Sequence, residues 1–228
     1  ELTQNYEFHK FTWDKIRETD KQIEFLLEEW QSKNGDLIKK SEYKKNPRKL
    51  RQKNDPKFDV KSYAYQMTGG VDLSQIDGVN VNTILTMMSE TGFDLKKSFP
   101  TAKHFASWLG FTPNRKITGG KVLSSNTQKV KSHLSYAIRQ AANALRFSKS
   151  RLGDFFRRLA FRKGSIIAIV ATARKIAVII YKMLENKETF AYEYRKEETE
   201  YLRKSQIKNI QKRIRQLNLS MEELKFTL

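Results

Sequence analysis

Cysteine is absent from the 228 residues, which excludes disulfides, Cys-based zinc sites and thiol nucleophiles. Histidine is almost absent too. His9, His104 and His133 stand at spacings that place no metal-ligand pair on one helix. No cationic, apolar leader opens the chain. The longest apolar stretch, Ser165 to Leu184, is interrupted by Arg174 and Lys175, which argues against a membrane span. Acidic residues are scarce against basic ones: 25 Asp and Glu face 44 Lys and Arg, leaving a net charge of +19. A cytoplasmic protein with a polyanionic partner, nucleic acid before membrane surface, is the first expectation. The chain opens on Glu1 rather than Met, which is compatible with a fragment of a longer protein.

What is present divides into four stretches. In residues 1–33, Leu2, Tyr6, His9, Trp13, Ile16, Asp20, Ile23, Leu27 and Trp30 repeat at spacings of four and three. That is a heptad seam, which suits a coiled coil within the chain or between copies, with His9 and Asp20 as polar register positions. Residues 34–62 read as a mobile basic connector, with ten bases from Lys39 to Lys61 punctuated by Gly35, Pro47 and Pro56. Residues 63–191 carry the apolar periodicity of a compact helical domain. Residues 192–228 form a charged helical tail, in which Ile207, Ile210, Ile214 and Leu217 make a shorter heptad stripe. Strand-like alternation is scarce, so the fold class is mainly α.

Within the domain, Ile76, Asp77-Gly78-Val79 and a helix opening at Asn80 or Asn82 suggest half of a helix-hairpin-helix. Thr101 starts a helix that Gly110 and Pro113 stop. A loop spans Asn114 to Ser125. A long helix is then expected from about Thr127 to Phe147, burying Val130, Leu134, Ala137, Ile138, Ala141, Ala142 and Leu145. Leu152, Phe155, Phe156 and Leu159 mark a further helix ended by Gly164. The nearly apolar stretch after Ser165 is the expected centre of the core. Asp72, Asp77, Glu90 and Asp94 read as caps and turn formers, and no carboxylate cluster able to hold a metal pair can be assembled.

The loop carries the chemistry. It gathers hydroxyls (Thr118, Ser124, Ser125), glycines (Gly119, Gly120) and cations (Arg115, Lys116, Lys121) ahead of a helix start. Glycines let backbone approach a phosphate, the cations offset its charge, and a hydroxyl held there could attack phosphorus. A purely structural loop is equally compatible with these residues.

The ordered series Ile76-Asp77-Gly78-Val79, Met88-Ser89-Glu90-Thr91-Gly92, Phe99 to Phe111, Pro113, Gly119 to Ser125, Arg139 to Leu145 and Ala171 to Ala177 resembles transposases of the IS one-ten group. These are RNA-guided recombinases of bacterial insertion sequences, and the likeness runs from about Tyr6 to Tyr192. The resemblance implies a coiled coil joined to a helical transposase domain whose Ser forms a covalent link to DNA. It also implies a guide (bridge-type) RNA that chooses the DNA, a homodimer or tetramer, and a bacterial, nucleoid-associated setting. Mg²⁺ would be held by the carboxylates of a RuvC-like domain that these 228 residues do not contain. At the position of the nucleophilic Ser this chain has Thr118, whose extra methyl stiffens χ1. Three assignments stay open: Thr118 is a working nucleophile, the position is disabled, or Ser124 or Ser125 serves instead. Lys121, Arg139, Arg174 and Lys175, with Arg115 and Lys116, are the candidate phosphate contacts. The rival reading is a non-catalytic nucleic-acid scaffold or transposase remnant.

Overall fold

The computed structural model of the protein describes residues 1–34, 55–188 and 191–217. They form two units, Glu1–Thr189 and Phe190–Leu228. The first begins with helix α1 (Leu2–Asn34) and continues through α2 (Val60–Met67), a single 3-10 turn (Leu73–Gln75), α3 (Val81–Glu90), α4 (Leu95–Ser98) and α5 (Ala102–Trp108). A two-stranded antiparallel ribbon, β1 (Lys116–Thr118) and β2 (Lys121–Ser124), precedes α6 (His133–Ala144), α7 (Arg151–Lys163) and α8 (Ser165–Asn186). The second unit contributes α9 (Ala191–Gln216). The mainly helical class stands.

The helix boundaries follow from capping chemistry. Asp59, Asn80, Asp94, Thr101, Ser132 and Ser150 each stand at an N-cap and accept a hydrogen bond from a backbone amide of the first turn. Each satisfies a donor that the helix itself cannot. Gly110, at φ 71°, closes α5 with the Phe111 amide donating to Ala106 O and its own amide donating to Ser107 O. That is the left-handed glycine stop the sequence led one to expect.

The core lies around α8, which packs against α5, α6 and α7. Ala168, Thr172, Ala173, Ile176, Ala177, Ile180, Tyr181 and Met183 are its buried positions. Three of them are alanines, whose small side chains let neighbouring helices come close. Against this face stand Phe105, Leu109, Leu134, Ile138, Leu145, Leu152 and Phe156, all essentially inaccessible. Burying each large side chain here stabilises the fold by about 1.5–3 kcal/mol. Tyr181 sits in an aromatic group with Phe99, Phe105 and Trp108, and its hydroxyl donates to Phe99 O at 2.8 Å. Burial, and then the charge of Glu185, hold that phenol above its ordinary pKa.

The structure corrects the sequence reading in three places. The helix expected from Thr127 begins only at His133, because Ser132 is the cap actually used. Val130 is therefore not on α6 but in the approach to it, packed beside Gly110, where a Cβ would stand 2.6 Å from Val130 Cγ2. Lys129 and Lys131 likewise precede the helix. The stretch read as a plain loop contains the ribbon. Finally, α8 is not buried from its start, since Ile166 and Ile167 are exposed and the core face begins at Ala168.

The heptad seam of α1 is covered only toward its C-terminal end. Leu27 is buried and Trp13, Asp20, Ile23 and Trp30 are half-buried, whereas Leu2, Tyr6 and Ile16 are exposed. Glu24 and Glu28 lie close enough to Tyr63 of α2 to add, after burial, to the raising of its phenol pKa. His9 accepts a 2.8 Å hydrogen bond from Trp13 Nε1, one helical turn on, consistent with a packing role. Most of the basic connector, residues 35–54, lies outside the described residues. Its end belongs to the packed body, for Pro56, Phe58 and Val60 are buried.

Candidate nucleic-acid interface

The ribbon grows from an isolated bridge between Pro113 and Thr127, next to which the Asn114 amide donates to Asn126 O at 2.9 Å. At its tip, Gly119 (φ 56°) and Gly120 (φ 75°) form the two-residue turn. Two successive positive φ angles define a type I′ turn, the kind whose twist matches paired strands, and Gly-Gly adopts it without steric penalty. A Cβ at either glycine would meet nothing within 4 Å, so the tip stands in open space.

Pairing register decides which side chains share a face. Thr118 pairs with Lys121, Ile117 with Val122, and Lys116 with Ser124, which leaves Leu123 as the extra, bulged residue. Directly paired residues project to the same side and successive residues to opposite sides. Lys116, Thr118, Lys121 and Ser124 therefore lie on one face, and Ile117 with Val122 on the other. The ribbon separates cations and hydroxyls from apolar side chains.

The three candidate hydroxyls are placed differently. Thr118 is exposed beside the turn, opposite Lys121. Ser124 is half-buried nearer the root, where its Oγ accepts from the Asn126 amide at 3.4 Å. Ser125 follows the ribbon and is exposed. Arg115, Lys116 and Lys121 are exposed as well, and none of them forms an ion pair among the described residues. Their charge is not offset by an acidic side chain among the described residues.

The other cations fall into two settings. Arg139 on α6 holds its guanidinium 5.5 Å from the centre of the Phe111 ring, two residues before Pro113, so it stands near the ribbon's root. Its Nε is buried without a hydrogen-bond partner. Lys175 on α8 rests its ammonium 3.9 Å from the centre of the Phe155 ring. Lost hydration there, and then the charges of Arg151 and Arg158, push the Lys175 ammonium below the ordinary Lys pKa, although the residue as a whole is exposed. Arg174, next to it in sequence, is half-buried.

Arg151 and Arg158 were not singled out from the sequence. A signal was available: Arg151, Phe155 and Arg158 stand at i, i+4 and i+7 on α7, which puts them on one face.

The acidic residues act as structural groups. Glu90, at the end of α3, reaches across to α6, where its carboxylate accepts from Ser132 Oγ at 2.7 Å and from the His133 amide at 2.6 Å. Burial works to raise its pKa. The bonds from Ser132 and from the Leu134 and His133 amides, with the His133 charge, outweigh that and hold it below the usual Glu range. Asp72 accepts from the Ser74 amide and Asp94 from the Lys97 amide. His104 bonds Thr101 Oγ1 through Nδ1 at 2.8 Å, at the start of α5. Among the described residues no three His, Cys, Asp or Glu come together as a group that could hold a metal ion. The glycine of the hairpin-like segment also serves packing: at Gly78 (φ 87°) a Cβ would stand 2.6 Å from Ala141 O, so the turn is pressed onto α6.

No curated protein matches the chain. Residues 72–157, from the 3-10 turn through the ribbon and α6 into α7, match the family described as Transposase IS116/IS110/IS902 family. Residues 72–157 are thus similar to a transposase domain of the IS110 group.

Proposed function

We propose that the chain is the DNA- and RNA-binding transposase portion of an RNA-guided insertion-sequence recombinase, and that its ribbon presents Thr118 to a DNA phosphodiester. The observation that carries this reading is the placement of Thr118 between Lys116 and Lys121 on one uncovered face of the ribbon, inside the family-matched segment. In the reaction, Thr118 Oγ gives up its proton and bonds to phosphorus. The bond from phosphorus to one deoxyribose oxygen breaks, and that oxygen takes up a proton as it leaves. Lys116 and Lys121 neutralise the charge that develops on the non-bridging oxygens. Rejoining reverses these steps with a different strand end.

A general base is needed, and no His or carboxylate is hydrogen-bonded to Thr118 among the described residues. Activation is assigned to a RuvC-like carboxylate domain outside these residues. Arg139 at the ribbon root, with Arg174 and Lys175, extends the backbone contact. A guide RNA would supply base pairing, leaving the protein mainly phosphate contacts to make. The uncovered first half of the α1 seam supports a homodimer or tetramer. No helix among the described residues is long and apolar enough to cross a membrane. A cytoplasmic, nucleoid-associated setting suits such a protein.

A suicide substrate whose leaving strand diffuses away tests the assignment, using the natural full-length protein. The expected result is a covalent protein–DNA adduct that disappears in Thr118→Ala and persists in Ser124→Ala and Ser125→Ala. Loss in either serine variant instead moves the nucleophile. No adduct from the wild type, with duplex binding intact, favours the non-catalytic scaffold, a reading that the unengaged, β-branched Thr118 hydroxyl also suits.

A further inference from the structure

The ribbon has a second face that the chemistry above does not use. Ile117 is 59%, Val122 57% and the bulged Leu123 70% exposed, directly behind the bare Gly119-Gly120 tip. Nothing among the described residues covers them. A second copy of the same ribbon is a poor occupant, because it would bring another Arg115, Lys116 and Lys121 against the first set with no acidic group between. The net charge of +19 adds repulsion of the same sign. The occupant must offer dense negative charge to one face and uncharged apolar surface to the other, a few ångströms apart. Nucleic acid does so along a single strand, where phosphates alternate with the flat faces of the bases.

We propose that the ribbon is a strand wedge: Lys116, Thr118 and Lys121 hold the backbone while Ile117 and Val122 press against a neighbouring base step and unstack it. This rests on the proposed function and adds the mode of DNA engagement. Two features of the ribbon suit it. Aliphatic side chains inserted between base steps are a recurrent means of opening a duplex. The glycine tip carries no side chain to block entry, and the paired strands behind it are stiffer than a loop of equal length. Unstacking would also free the phosphodiester beside Thr118 to rotate toward in-line attack.

The test uses the full chain and duplexes of one sequence carrying 2-aminopurine at successive positions, a base whose fluorescence rises when it unstacks. Wild type is expected to raise the emission severalfold at one or more positions on binding. Ile117→Thr/Val122→Thr, which keeps β-branched residues in both strands, is expected to bind with the same salt dependence but to lose most of the rise. Ile117→Leu, which keeps an aliphatic side chain there, is expected to retain it. A rise that persists in the double threonine variant, or wild-type binding without a rise, overturns the wedge and leaves the proposed function standing. A change in sedimentation of the threonine variant with unaltered emission assigns the face to a protein contact and also overturns it. Absence of duplex binding, or binding indifferent to Arg115→Gln/Lys116→Gln/Lys121→Gln, overturns the reading beneath it as well.

Discussion

The helical body and the ribbon use the same residue type for opposite ends. In the body, Gly78 is pressed against the Ala141 carbonyl and Gly153 against Ser148 O, where a Cβ would stand 2.6 Å and 2.2 Å away. In the ribbon, Gly119 and Gly120 have nothing within reach. At Gly78 and Gly153 the body uses glycine for close packing, and the ribbon uses it to turn sharply in open space. Charge divides along the same boundary. The carboxylates of Asp72, Glu90 and Asp94 are bound into turns and helix starts, while the ribbon's cations form no ion pair among the described residues. A region fixed by its own packing carries one that this packing leaves bare.

That contrast is broken most readily in the core. Phe156→Ala removes a side chain 1% exposed at the α7–α8 contact and is expected to cost about 3–5 kcal/mol in urea denaturation. Ile117→Ala in the ribbon is expected to change stability by less than about 0.5 kcal/mol. Similar losses at the two sites would mean that the ribbon is packed after all. A smaller contrast comes from the glycines. Gly78→Ala combines a positive φ with a backbone oxygen that must shift, for a cost of about 2–3 kcal/mol. Gly120→Ala meets only the conformational penalty, about 1 kcal/mol.

Smaller still is the loss at Glu90. Glu90→Gln keeps the shape but weakens the charged cap of α6, an effect of about 1 kcal/mol at neutral pH. Its folded-state pKa lies below the ordinary value of 4.5. The carboxylate therefore stabilises the fold fully above that value, and its contribution is lost as pH falls through the folded-state pKa. The gap between wild type and Glu90→Gln should close on acidification below about pH 4.5. A gap that widened there would contradict the cap.

Long periodic segments were legible and short or long-range features were not. The α5 start at Thr101, its stop at Gly110, the α7 stop at Gly164 and the apolar run of α8 each carry a local chemical mark, and each stands where it was read. The start of α6 was misplaced because Thr127 and Ser132 are both competent caps. Which one is used is decided by Glu90, about forty residues earlier. The ribbon was missed because each strand has only three or four residues, too few for alternation to emerge, and because a bulge at Leu123 breaks the period. Gly119-Gly120, whose expected role was close backbone approach to a phosphate, forms the hairpin turn. The Arg151, Phe155 and Arg158 face is marked in the sequence only by its i, i+4, i+7 spacing, and the Lys175 ammonium over the Phe155 ring is what distinguishes it.

Salt dependence of duplex binding tests most directly whether the ribbon is where the polyanion is held. For each phosphate contact removed, the slope of log K against log salt is expected to become shallower by roughly 0.9. Arg115→Gln/Lys116→Gln/Lys121→Gln should therefore flatten the slope by two to three such steps with the melting temperature unchanged. An unchanged slope in a folded triple variant would place the interface elsewhere on the protein and contradict the account.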